Sequence, residues 1–290
     1  MEEKIRTMKN EGNKYVAFFA LFVIGMLATS CKKDVILMPK PDFGDAPTGA
    51  VNGLFSVSSG QQVFFSQGNL QYQASTGKWR FAAHQCDCIG EENNNISPSY
   101  SGWIDLFGWG TSGYNNKYPY MTSTTSSDYG NGNTDIVGTN YDWGVYNAIS
   151  NGGNQVGQWR TLTKDEWAYV FNTRSTSSGI RYAKACVNNV NGVILLPDNW
   201  SLSYYDLQNT DTNASFSSNS ITSSQWTLLE QYGAVFLPAI DGDSFGAYWS
   251  ASCHNVSGAY SVWFYDSYFN PLMSDYRHFG RSVRLVRSAQ

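Results

Sequence analysis

Charge is what this chain has least of. Only 14% of its 290 residues are Asp, Glu, Lys or Arg, against roughly 25% in an average soluble domain. Its 19 Lys and Arg stand against 23 Asp and Glu, for a net charge of −4. Nucleic-acid binding draws most of its affinity from clustered basic side chains, so that class of partner is excluded. A long coiled coil needs Glu, Lys, Leu and Ala in bulk and is excluded as well. Histidine and cysteine are scarce, at 3 and 5 residues. A zinc site wants Cys-x-x-Cys pairs or matched histidines. Cys86 and Cys88 are too close for that, and with His84 beside them a plain loop is a better reading than a partial metal site. What the chain does have is aromatics, 10 Trp, 19 Tyr and 16 Phe, which rule out disorder.

The N-terminus reads as a secretory signal. Lys4, Arg6, Lys9 and Lys14 precede an apolar run over residues 15–27, short for a membrane span. Met8 is an alternative start. Leu27-Ala28-Thr29-Ser30-Cys31 resembles the lipobox of bacterial lipoproteins, with Ala28 where Leu is more usual. That resemblance implies cleavage before Cys31, lipid on Cys31, and an outer-membrane, lipid-anchored protein exposed at the cell surface. Lys32-Lys33-Asp34 faintly resembles a surface-export signal. Losing residues 1–30 removes four cations and three anions, which moves the net charge from −4 to −5. Residues 31–52, with Pro39, Pro41 and Pro47, suit an extended tether.

Residues 53–290 show no second linker and no fixed-period repeat, and read as one domain. Short strands are expected at 55–57, 63–65 and 78–81, and central ones at 193–197 and 235–238. A last strand at 282–286 shows alternation. Thr163 with Glu166 and Thr222 with Gln225 fit the starts of two helices, the second stopping near Gly233. Two main helices among many short strands and long loops indicate an α+β fold.

Several motifs fail on context. Gly108-Trp109-Gly110-Thr111-Ser112-Gly113 satisfies G-x-G-x-x-G, but Tyr114-Asn115-Asn116-Lys117-Tyr118-Pro119 follows, where a dinucleotide site needs a helix. Asp241-Gly242-Asp243 offers oxygens for calcium, yet reads better as a solvated turn. Cys253 adjacent to His254 does not by itself make a catalytic pair.

A larger pattern carries a resemblance. It comprises Phe65-Ser66-Gln67-Gly68-Asn69-Leu70-Gln71-Tyr72, Trp103-Ile104-Asp105-Leu106-Phe107-Gly108-Trp109-Gly110-Thr111, and Trp159-Arg160-Thr161-Leu162-Thr163 with Glu166-Trp167. It continues with Leu195-Leu196-Pro197-Asp198, Ala234-Val235-Phe236-Leu237-Pro238-Ala239, Tyr248-Trp249-Ser250 and Gly280-Arg281-Ser282-Val283-Arg284-Leu285-Val286. In this order the set resembles bacterial lipoproteins with a C-type-lectin-like, formylglycine-generating-enzyme-like domain, of the Fibrobacter succinogenes major paralogous domain type. The resemblance implies a C-type-lectin-like fold. Its enzyme branch uses a C-terminal cysteine pair, whereas Cys253 stands alone in that region, so no enzyme is expected. The closing stretch Gly280 to Arg287 is similar to that of variable proteins of diversity-generating retroelements, which implies a variable region at about 245–287.

Residues 245–279 contain 11 aromatics, where the chain-wide 16% would give five or six. Ser, Asn, Asp and His are interleaved with them, as in an antibody paratope: Tyr and Phe give area at low rotamer cost, and Ser and Asn give adaptable hydrogen bonds. Trp249, Val262 and Phe264 are assigned to the core. The candidate ligand-binding face is Cys253, His254, Asn255, Ser257, Tyr265, Tyr268, Phe269, Asp275, Tyr276, His278 and Phe279. Trp263 and Met273 are set aside as framework or as poor fits to that pattern, because neither is reachable from an Asn codon by changing its adenines. The expected partner is a macromolecular ligand, protein or glycan, at the cell surface, with the membrane met through the lipid and no cofactor needed. The rivals are a calcium-dependent lectin, which lacks its usual Glu-Pro-Asn or Gln-Pro-Asp triplet here, and a thiol-dependent modifying enzyme.

Overall fold

The capping boxes are where local sequence dictates structure most directly. In the computed structural model, which describes residues 45–90, 97–119 and 132–289, Thr163 Oγ1 accepts from Glu166 N while Glu166 accepts from Thr163 N. Thr222 and Gln225 repeat the arrangement. Each box satisfies main-chain donors that a helix start leaves free. The helices are α1 (Trp143–Tyr146), α2 (Lys164–Ala168) and α3 (Ser223–Gln231). A single π-helical turn, Tyr169–Thr173, continues α2 and keeps Trp167, Val170 and Phe171 buried together. Gly233, at φ 86°, ends the segment after α3 in the left-handed region that glycine tolerates.

Thirteen strands make up the rest among the described residues. β1 (Phe55–Ser58), β2 (Gln61–Phe65), β5 (Arg160–Thr161) and β13 (Leu285–Ser288) form one sheet in the order β1-β2-β13-β5. β3 (Leu70–Gln73) pairs with β4 (Lys78–Phe81). β6 (Tyr182–Val187), β7 (Val190–Leu195), β8 (Ser220–Ile221) and β9 (Val235–Pro238) order as β8-β6-β7-β9. β10 (Phe245–Cys253), β11 (Gly258–Tyr265) and β12 (Tyr268–Tyr276) form the third larger sheet. The protein is mixed α+β, mostly strands with few helices. Three apolar clusters fill it: one around Phe65, Trp167 and Tyr248, one around Trp109, Trp143 and Trp249, and one around Trp200, Trp226 and Phe236.

Four expectations change, the fourth being Asp275, which is buried rather than on the exposed face. The closing strand lies at Leu285–Ser288 rather than 282–286, and the stretch does not alternate, since residues 282–286 are all buried. Arg284 is buried because Gln85 Oε1 (2.5 Å) and Phe236 O (3.3 Å) accept its guanidinium donors. Ala50 and Val51, read as the end of the tether, belong to the packed unit: Ala50 bridges Ser66, and Val51 N donates to Phe65 O at 2.8 Å. Phe269, expected on the exposed face, turns inward, as described below. The signal segment 1–30, Cys31 and the tether up to residue 44 lie outside the described residues. The chain divides into units Met1–Pro39 and Lys40–Gln290, and every described residue is in the second.

Other motifs find structural roles. Trp109 of the Gly/Trp loop is buried and its Nε1 donates to Ser250 O at 2.8 Å. A 3-10 turn, Tyr114–Asn116, follows Gly113 in place of a long helix. Asp198 gathers Ser56 N (2.8 Å), Gln62 Nε2 (2.9 Å) and Arg174 Nη1 (2.8 Å), so the Pro-Asp pair ties β1 and β2 to the π-helical turn.

Candidate ligand-binding face

The site is built on the β10–β11–β12 sheet, and register decides what each face shows. Side chains directly opposite one another in an antiparallel pair share a face. Tyr248 opposes Val262, and Gly246 and Phe269 both oppose Phe264. This set faces the first apolar cluster. Phe269 stacks on Tyr182 with ring centroids 4.8 Å apart and meets Phe171 edge-on at 4.7 Å. Gly246 is required there, because a Cβ would run into the Phe264 ring.

The opposite face carries Phe245 and Tyr268 opposite Tyr265, Ala247 and Asn270 opposite Trp263, and Met273 opposite Ser261. The Tyr265 and Tyr268 rings stack at 4.8 Å beside the turn at 266–267. A groove of about 450 Å³ runs from Trp263 to the other end of the hairpin. His254, Asn255, Ser257, Asp275, Tyr276 and Phe279 line it, with Gly258, Trp263 and Ser274. His278 packs against two of them, 5.6 Å from Tyr276 and 4.7 Å from Phe279.

Arg281 lies beneath the aromatic rings. Its guanidinium sits 5.0 Å from the Phe279 ring, 5.4 Å from Phe245 and 5.7 Å from Trp263. Its Nε donates to Asp275 Oδ2 at 2.6 Å. Asp275 also accepts from Tyr276 N at 2.8 Å. Burial pushes the Asp275 carboxyl up from its ordinary range, against the opposing pull of Arg281. The Trp263 indole N–H is buried with no acceptor among the described residues.

The turn between β10 and β11 is held by its own side chains. Asn255 Oδ1 accepts from Ser257 N (2.9 Å), Gly258 N (2.8 Å) and Ser257 Oγ (3.1 Å). Arg277, buried over the Trp109 ring at 4.5 Å, donates from Nη2 to Asn255 O at 2.6 Å and to Cys253 Sγ at 2.8 Å. Burial lowers the Arg277 guanidinium from its usual value, and Cys253 opposes that shift.

The eleven candidate residues therefore fall into three groups. Cys253, His254, Asn255, Ser257, Tyr276, His278 and Phe279 gather in and around the groove. Tyr265 and Tyr268 stand at the other end of the hairpin. Phe269 and Asp275 are not exposed: the first is half-buried against the core, and the second is 8% exposed under Arg281. Sequence reasoning missed Trp263, Phe245 and Arg281. The first had a visible signal, since placing Val262 and Phe264 inward puts Trp263 outward. Arg281 had none, because its three ring neighbours come from different strands and loops. No family model, curated protein or solved structure matches the chain.

Proposed function

We propose that the β10–β11–β12 sheet is a ligand-binding face and that the protein works without catalysis, holding a macromolecular partner at the cell surface. The observation that carries this is the coexistence of exposed aromatics with a fixed backbone. Tyr265, Tyr276 and Phe279 are exposed, while the strands beneath them are anchored by buried hydrogen bonds. Preordered loops lose little entropy on binding, and Tyr and Phe supply area at low rotamer cost. Contact is through the face rather than the sheet edge. On the edge strand β12, Pro271 lacks an N–H, Leu272 N is taken by Asn270 Oδ1 at 2.9 Å, and Tyr276 N by Asp275.

The resemblance set out above gives this reading its wider frame: a lipoprotein anchored through Cys31, a C-type-lectin-like fold, and a retroelement-diversified region at about 245–287. The α+β architecture is compatible with that fold. A near-identical DNA repeat differing at adenines, beside a reverse transcriptase gene, tests the last element. Lipid labelling lost in C31A tests the first.

The binding reading is tested by displaying the wild-type chain and a Tyr265→Ala/Tyr276→Ala/Phe279→Ala variant against arrays of surface-protein ectodomains and of glycans. Retention by wild type, lost in the variant and indifferent to calcium chelation, is expected. Equal retention by both chains refutes the face. Loss on chelation turns the assignment toward the lectin, and covalent modification of the captured partner that C253S abolishes turns it toward the thiol enzyme.

A further inference from the structure

Lys184 projects from β6 with its side chain buried, 1% exposed, and its ammonium ends beneath the β11–β12 turn. Nζ donates to Tyr265 O at 2.8 Å, Tyr268 O at 2.9 Å and Asp266 O at 3.2 Å. An ammonium has three donors and no acceptor, so these three carbonyls occupy it completely. The turn is held from a second side by Asp266. Its carboxylate accepts from Ser215 Oγ at 2.6 Å and from Phe216 N at 3.1 Å. The Phe216 ring closes the space, 5.7 Å from Nζ.

We propose that Lys184 is a protonation-dependent latch on the Tyr265 and Tyr268 end of the binding face. As an ammonium it fixes the turn from below, and as a neutral amine it releases it. A neutral amine has two donors and one lone pair, and a lone pair facing a carbonyl oxygen repels it. At least one of the three bonds therefore goes with the proton, leaving a buried carbonyl to turn elsewhere.

The groups around the ammonium set where this happens. From the hairpin it meets Asp266, its charged neighbour, and the phenol-bearing residues Tyr265 and Tyr268. On its own side, Arg181 and Asp211 are paired with each other at 3.3 Å, and Tyr182 stacks on Phe269. Burial pulls Lys184 down from 10.5 to about 8, with Asp266 opposing. The latch is therefore closed at neutral pH and opens in mildly alkaline solution. Between about 8 and 10.5 the folded chain binds fewer protons than the unfolded one, so this group does not lower global stability as pH rises through that window. What is lost is local order. By linkage, a partner that grips the ordered tip raises the affinity of Lys184 for its proton by the same factor.

The latch rests on the binding-face reading for what it regulates, not for its geometry, so it is tested in the free protein. Carbon-detected relaxation on the wild-type chain, from pH 7 to pH 9.5, reads backbone order at Asp266 and Ser267. The order parameters are expected to fall from about 0.85 to below about 0.6, in step with the titration of the Lys184 side-chain resonance, while β6 stays rigid. K184M is expected to show the lower value at both pH values. Tip order that is constant across the range, or that falls without Lys184 titrating, overturns the proposal. Should K184M fail to fold, the wild-type titration decides alone. With no ligand in the sample, a failed latch leaves the binding face standing, and a face that binds nothing leaves the latch standing.

Discussion

Replacing Arg281 with Met tests whether the aromatic face depends on the pair beneath it. The Arg281 and Asp275 side chains are 12% and 5% exposed and meet at 2.6 Å. Removing the cation leaves Asp275 buried with Tyr276 N as its remaining hydrogen-bond donor at 2.8 Å. Breaking a buried pair from one side costs about 3–5 kcal/mol, most of it the penalty on the charge left behind. Asp275→Asn is milder, about 2 kcal/mol, because Arg281 keeps Gly280 O and its three rings and lies nearer water. The double variant removes the stranded charge and should lose less than the two single losses together, by about 1–3 kcal/mol. The pH dependence has a definite sign. Burial already pushes the Asp275 carboxyl up, and Arg281 opposes that shift, so R281M raises it further. An acid whose folded pKa exceeds its unfolded value contributes stability at low pH that is lost as pH rises through the folded pKa. The R281M deficit should therefore widen between pH 4 and pH 7. Urea unfolding followed by Trp fluorescence, at constant slope, reads all three variants. Strictly additive losses, or an R281M deficit under about 1 kcal/mol at pH 7, refute the reasoning.

Two further outcomes follow from the same geometry. Phe269→Ala should cost about 2–3 kcal/mol, below the range of a fully buried Phe because its ring is half-buried against the core, whereas Tyr276→Ala should stay within about 0.5 kcal/mol; similar losses by urea unfolding contradict the assigned faces. Burial pushes Asp142, fully enclosed near Thr161, up from 3.8 to about 6. The folded chain thus holds a proton that the unfolded chain has released between those values, and stability falls as pH rises across that window, by up to about 3 kcal/mol. The unfolding free energy of wild type relative to D142N should decline from pH 4 to pH 6, and a flat difference rejects the assignment.

What was legible in the sequence was what is local. The two helix starts could be read because Thr and Glu or Gln three residues apart satisfy one another wherever the rest of the chain goes. Val235–Pro238 could be read because all four residues are buried, which a continuous apolar run announces. Arg284 could not be read as core, since its acceptors lie 199 and 48 residues away. The same holds for Lys184, whose three carbonyls are more than 80 residues downstream. On β12 the obstacle was parity. The register shifts between Ser261 and Trp263, where Pro271 and Leu272 form a bulge, and a bulge exchanges the faces of everything beyond it. Counting alternately from Tyr268 therefore puts Asp275 on the Phe269 face, whereas the register sets it opposite Ala259 on the Tyr265 face, and there it is buried by Arg281 rather than by parity.

The scarcity of charge acquires a different meaning once the charged residues are located. Seven of them are buried among the described residues: Asp105, Asp142, Arg174, Lys184, Asp275, Arg277 and Arg284. Three hold the proposed binding face from within: Lys184 at the turn beside Tyr265, Asp275 through Arg281 near its middle, and Arg277 at the Asn255 turn. Each acts on main-chain carbonyls or on a buried partner, and none is among the exposed side chains. Asp275 thus supports the wall of the groove it lines, through Arg281. This division has a mechanical consequence for the proposed reading. Because main-chain anchors do not depend on which side chains face solvent, residues such as Tyr265, Tyr276 and Phe279 are free to differ while the strands carrying them stay in place. On that reading contact is made by shape and aromatic area rather than by long-range attraction.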